Sequence, residues 1–118
     1  MATLKSRQVG AITILTPKGY LTGGEETEEV EKAIKKLGED GNKHLVINLS
    51  ETQHLNSTAL GVLISAHSNY VRRGGQMKLC SVDKRIENIF VITKLSLVFD
   101  VYPKEEQAIA SFAERESV

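Results

Sequence analysis

The chain has 118 residues, room for one domain with a substantial core and too few for two. Its 15 basic and 15 acidic residues cancel, so no overall field draws in nucleic acid or an anionic membrane. Three Tyr, three Phe and no Trp give little stacking surface for single strands, and no apolar run approaches the roughly 20 residues of a membrane span.

The opening "MATLKSRQVG" has no apolar core of a secretory signal, and the lone Cys80 has no intramolecular partner; both point to the cytoplasm. Residues 4–16 are rich in β-branched side chains and predict two short strands turning near Gly10. The glycines and proline of "PKGYLTGGEE" predict a loop. From Glu25 to Leu37, Val30, Ala33, Ile34 and Leu37 recur at helical spacing. Glutamates crowd the start, Lys35 and Lys36 sit near the end, and Gly38 and Gly41 stop the helix.

"HLVINLS" (44–50) is short and apolar, a buried strand. A second helix runs from Ser57 to about Arg73 and stops at Gly74 and Gly75, with "QMKLCSV" as the next strand. "DKRIENIFVITKL" predicts a helix capped by Asp83 with Ile86, Ile89, Phe90 and Thr93 on one face. "LVFDVY" predicts a further strand, and Pro103 opens a last helix with Ile109, Phe112 and Ala113 inward. Strands alternating with helices at this spacing require crossovers and a largely parallel sheet in one α/β domain.

Chemistry of the common catalytic kinds has no home in this pattern. His44, His54 and His67 fall in a strand, a loop and a helix without metal-ligand spacing, so packing or surface roles are expected and no metal or cofactor is. Cys80 sits in a central strand and reads as a buried, inert thiol. "GYLTGGEE" does not spell a nucleotide-binding fingerprint, and the acidic cluster after it would repel a phosphate. The expectation is a binding protein and not an enzyme.

The informative stretch is "HLNSTALGVLI" (54–64). Asn56 or Ser57 can cap the second helix by accepting a backbone N–H. With Ser57 as the cap, its oxygen is engaged and Thr58 projects outward. Steps of three and four from Thr58 lead through Gly61 and Val62 to Ser65 and Asn69, a strip of small or uncharged residues suited to close approach by another protein. A phosphate at its head would add about −1.5 to −2 charges. The helix N-terminus tolerates that charge, whereas a docked partner does not. A penalty of about 3 to 4 kcal/mol would weaken docking roughly a hundred- to a thousand-fold.

With "INLSETQHLNSTALGVLI", "RRGGQMKLCSV" and "IENIFVITKL" in this order, the chain resembles the STAS domain, in particular the bacterial anti-sigma factor antagonists, over roughly residues 4–113. The resemblance implies a single STAS-type domain over residues 1–118, its core about 4–113. Its α/β fold would have a mixed, mostly parallel sheet of four to five strands and about four helices. In that family the motif typically reads D-S-S-G-L-G-V, and its second hydroxyl is phosphorylated by an anti-sigma factor that is itself a protein kinase. By position, Asn56 stands for the acidic residue, Ser57 for the first serine, Thr58 for the phosphoacceptor and Ala59 for the glycine, while Leu60, Gly61 and Val62 match.

The resemblance thus implies an anti-sigma factor antagonist that binds a serine/threonine kinase anti-sigma factor and so frees a sigma factor. Thr58 would be the phosphorylation site, with Ser57 as second choice, and a metal-dependent phosphatase would reverse the modification. Asn56, Ser57, Thr58, Gly61, Val62 and Ser65 would form the partner surface. Asn56 and Ala59 depart from the motif and favour the alternative, a non-phosphorylated STAS-like interaction subunit of a lipid-transport or stress-signalling complex.

Overall fold

The computed structural model describes residues 4–86 and 99–116. Strands β1 (Leu4–Val9) and β2 (Ile12–Pro17) form an antiparallel hairpin that turns at Gly10 and Ala11, with Val9 opposite Ile12. Strand β3 (Gly19–Leu21) and helix α1 (Glu25–Glu39) follow, then β4 (His44–Asn48), β5 (Thr52–Leu55) and α2 (Ser57–Arg72). The chain continues through β6 (Gln76–Cys80), β7 (Val101–Tyr102) and α3 (Glu105–Glu116).

The main sheet has the order β1-β2-β4-β6-β7, antiparallel only at the opening hairpin. The parallel strands advance in one direction, so right-handed crossovers put α1 and α2 on the same face. Period-two alternation sorts the strand residues between two cores. Leu15, Leu45, Ile47, Met77 and Leu79 pack with Val30 and Ile34 of α1 and Leu60, Leu63 and Tyr70 of α2. Ile14, Val46 and Cys80 point the other way and are covered by Ala108 and Phe112 of α3.

Most expected elements are present, with corrections. The "PKGYLTGGEE" segment is not all loop, since β3 pairs in parallel with β5 in a separate two-stranded sheet. That strand carries His54, expected in a loop, opposite Tyr20. Gly38 lies inside α1, which runs on to Glu39. Pro103 precedes α3 by two residues, and the Lys104 carbonyl accepts the N–H groups of Gln107 and Ala108 at its start.

Asp83 does cap a helical turn at 84–86, where its Oδ1 accepts the Ile86 N–H at 2.9 Å. That hydrogen bond is the main reason its carboxyl is held below its usual pKa. The expected inward positions Ile89, Phe90 and Thr93 and the start of "LVFDVY" lie outside the described residues, as does the Ala113 side chain. Cys80 is fully buried, and burial pushes its thiol up to about 11.

A charged side chain enters the second core. Lys78 alternates with Leu79 and therefore faces α3, with 3% of its side chain exposed. Its ammonium donates to Ser111 Oγ at 2.6 Å and lies 4.6 Å from the Phe112 ring centroid and 5.5 Å from that of Tyr102.

Candidate functional site

Asn56 is the N-cap of α2. Its Oδ1 accepts the Ala59 N–H at 3.1 Å, and its Nδ2 donates to the Thr22 carbonyl at 2.9 Å. Its backbone N–H donates to the Leu21 carbonyl at 3.1 Å. One residue thus closes the helix end and ties it to the segment after β3. Ser57 is therefore not the cap. It occupies the first helical position with Thr58 next to it, and both side chains are exposed. The expected contrast between an engaged Ser57 oxygen and a projecting Thr58 does not hold.

The β3–α1 turn approaches Thr58 closely. Gly23 has φ +98°, and a Cβ built there would lie 3.1 Å from Thr58 Cγ2 but 3.9 Å from Oγ1. A side chain at residue 23 would be strained by its backbone and crowded by the threonine methyl. The turn is fixed by the Gly23 N–H, which donates to Oγ1 of buried Thr27 at 2.9 Å. Thr58 therefore turns its methyl toward the neighbouring segment, with the hydroxyl on the farther side.

Down the helix, Gly61, Ser65 and Asn69 are exposed and Val62 is half-buried, on the face that helical spacing assigns to Thr58. Ala59 is on the opposite side, 2% exposed within the first core, so the methyl that departs from the motif packs inward and does not alter the outer surface. Asn56 is engaged at both ends of its amide, which makes it the residue that positions this surface. The donated bond to Thr22 explains why an amide suits the position here, since a carboxylate supplies only acceptors.

Between α1 and α2 the strip opens into a groove of about 430 Å³. Ile34, Val62, Ala66 and Tyr70 are among its apolar lining, Ser65 and Asn69 one rim, and Glu31, Lys32 and Lys35 the other, with Arg73 at the far end. Reading α2 alone found its own rim, but the opposite rim needs the packing of α1 beside it. The two-stranded sheet adds exposed Tyr20, whose ring centroid lies 6.3 Å from that of His54. Among the described residues no group of His, Cys, Asp or Glu is arranged to hold a metal ion, and no helix is long and apolar enough to cross a membrane.

Residues 3–108 match the STAS domain family, and the chain belongs to it. It is 32% identical over 73 residues to the anti-sigma-B factor antagonist of Bacillus subtilis and 25% identical over 67 residues to the anti-sigma F factor antagonist of Paenibacillus polymyxa. These matches cover 62% and 57% of this chain, and 66% and 57% of the respective relatives.

The fold is similar to that of an anti-sigma factor antagonist from Mycobacterium paratuberculosis, with a TM-score of 0.81, 21% identity and 92% of each chain covered. The Bacillus cell fate determinant SpoIIAA in its phosphorylated form superimposes with a TM-score of 0.74 at 15% identity, covering 92% of this chain and 98% of that one. The STAS domain of a SulP transporter from Vibrio cholerae gives 0.71 at 17% identity, covering 95% and 89%.

Proposed function

We propose that the protein is an anti-sigma factor antagonist. It docks through the outer face at the start of α2 and is switched by phosphorylation of Thr58, with Ser57 as the alternative acceptor. The observation that carries the reading is the exposed Ser57–Thr58 pair at the first two helical positions, held in place by Asn56 and ahead of the small-residue strip Gly61, Val62 and Ser65. Relatives named as anti-sigma factor antagonists, and the phosphorylated form of one structural neighbour, support it.

The proposed cycle follows from charge. In the unmodified state a kinase-type anti-sigma factor packs against Thr58, Gly61, Val62 and Ser65. Phosphate on Thr58 sits beside the first N–H groups of α2, which have no intrahelical acceptor, so the domain stays folded. The same dianion must be desolvated beneath a docked partner and drives it off. The methyl directed at Gly23 supports Thr58 as the acceptor, because the hydroxyl is left on the farther side. A metal-dependent phosphatase would restore docking. The protein performs no catalysis of its own in this scheme and works in the cytoplasm.

The test is incubation with ATP and a serine/threonine kinase anti-sigma factor, followed by mass spectrometry. Phosphate on Thr58, absent from Thr58→Ala, is the expected result. Phosphate on Ser57 alone moves the acceptor, and none on either residue favours a STAS-like interaction subunit without a phosphoswitch. That second reading draws on Asn56, which replaces the acidic residue of the motif, and on the fold shared with a transporter's STAS domain.

A further inference from the structure

The groove between α1 and α2 lies next to the proposed switch but shares only Val62 and Ser65 with it. From Val62 to the C-cap Arg73 the α2 side advances eleven residue steps, about 16 Å or three helical turns. Most of its apolar lining is already closed off, since Ile34 and Tyr70 are 3% exposed and Ala66 9%. The lining left open is nonetheless apolar along the floor as well as polar along the rims, which suits an amphipathic occupant. What the groove offers is a polar and charged rim over a shallow floor.

The charges on that rim are unbalanced. Lys32, Lys35 and Arg73 stand against the single carboxylate of Glu31, and none of the three cations is in an ion pair among the described residues. Lys32 and Lys35 are exposed, although a run of glutamates precedes them in the same helix.

Arg73 is brought in by a second feature. A Cβ on Gly38 would stand 3.1 Å from its guanidinium and 3.7 Å from the Tyr70 ring. Glycine in a helix interior is unfavourable relative to alanine, and here it gives the arginine room to lie against α1. The cationic end of the groove is therefore built by both helices.

We infer that this groove is a docking site for an acidic amphipathic helix of the protein partner. Carboxylates along its flanks would meet Lys32, Lys35 and Arg73, and a short row of two or three apolar side chains would face Val62 and Ala66. This is helix-in-groove recognition governed by rim charge, so affinity is salt-sensitive. The inference rests on the proposed antagonist role for the identity of the partner. The groove itself can be examined without that partner.

The experiment uses the whole chain, isotope-labelled, titrated with a synthetic 16-residue helical peptide carrying Leu at positions 5, 8 and 12 and Glu on both flanks. A second peptide has Gln in place of every Glu, and a third arm uses sodium decanoate. The acidic peptide is expected to shift the amide signals of Lys32, Lys35, Ser65 and Asn69. The Gln peptide and decanoate should leave them unmoved. Lys32→Glu/Lys35→Glu should weaken the acidic peptide about tenfold or more.

Equal shifts from the Gln peptide, groove shifts from decanoate, or unchanged affinity in the double variant would overturn the inference. Phosphorylation of the wild-type chain at Thr58 by a kinase anti-sigma factor, read without any peptide, reports on the antagonist role separately. A double variant that loses the peptide and is phosphorylated more slowly than the wild-type chain supports both readings. Peptide binding by a wild-type chain that no such kinase modifies leaves the groove standing and removes the switch.

Discussion

Lys78 and Ser111 meet inside the second core, ammonium to hydroxyl at 2.6 Å, and the hydroxyl in turn donates to the Ala108 carbonyl at 2.6 Å. A strand side chain is thereby joined to the backbone of α3. Removing the hydroxyl leaves the buried ammonium with the Asp100 carboxylate at 3.8 Å but without its close acceptor, so Ser111→Ala should cost about 1 to 3 kcal/mol. Replacing the cation with an apolar chain of similar length removes the need, so Lys78→Met should be near neutral or stabilising. Urea denaturation of both variants checks the pair, and the reverse order would contradict it.

Asn56→Ala removes the cap and the tie to Thr22 together. A loss of about 1 kcal/mol is expected from the cap alone, with somewhat more from the second bond. Asn56→Asp keeps the acceptor but sets a carboxylate against the Thr22 carbonyl. It should retain the helix end while loosening residues 22–24, which amide exchange at Gly23 would register.

Gly75→Ala should be costly for a reason apart from backbone freedom. A Cβ there would lie 2.6 Å from the Lys43 carbonyl oxygen and 2.9 Å from its Cα, where β4 and β6 begin side by side. The neighbour is backbone and cannot swing away. A destabilisation of about 1 to 3 kcal/mol is expected in thermal or urea unfolding.

Glu105 links three elements, accepting from Arg7 at 2.6 Å and from Asn48 Nδ2 at 2.9 Å. Burial raises its pKa, but the hydrogen bonds from Arg7 and Asn48 and the Arg7 charge outweigh burial, and the carboxyl is held below 4.5. A depressed folded pKa stabilises above the unfolded value, and that contribution fades as pH falls from about 4.5 through the folded pKa. Glu105→Gln should therefore lose stability at neutral pH and show a shallower decline in acid. Urea midpoints between pH 6 and 3 make the comparison, and parallel curves would refute it.

Gly61→Glu and Ser65→Glu place bulk and negative charge on the proposed docking face without entering the core. Both should abolish partner binding in a calorimetric titration and leave the circular dichroism spectrum unchanged.

The elements readable from sequence were those whose signals are local. The hairpin about Gly10, α1 with Val30 and Ile34, and the buried runs of β4 and β6 announce themselves by period and punctuation. Strands β3 and β5 did not, being three and four residues long, paired only with each other, and in β3's case set among glycines. The head of α2 was legible as a place but not in detail. Asn and Ser cap about equally well in isolation, and the choice between them is made by the Thr22 carbonyl, 34 residues earlier. A lone lysine amid the apolar residues of "QMKLCSV" was the available signal for Lys78, but its partners on α3 are brought to it only by the fold.

The one-directional strand order also bears on synthesis. Once residue 80 has left the ribosome, β1, β2, β4 and β6 and both helices of the first face are available to assemble. Ile14, Val46, Lys78 and Cys80 still lack Ala108 and Phe112, because α3 begins only at Glu105. A nascent chain paused between these points would display a first face short of late residues such as Ile86 and Phe99, and a second face without its helix. That interval is when a chaperone, or a second nascent chain, would find the most to hold.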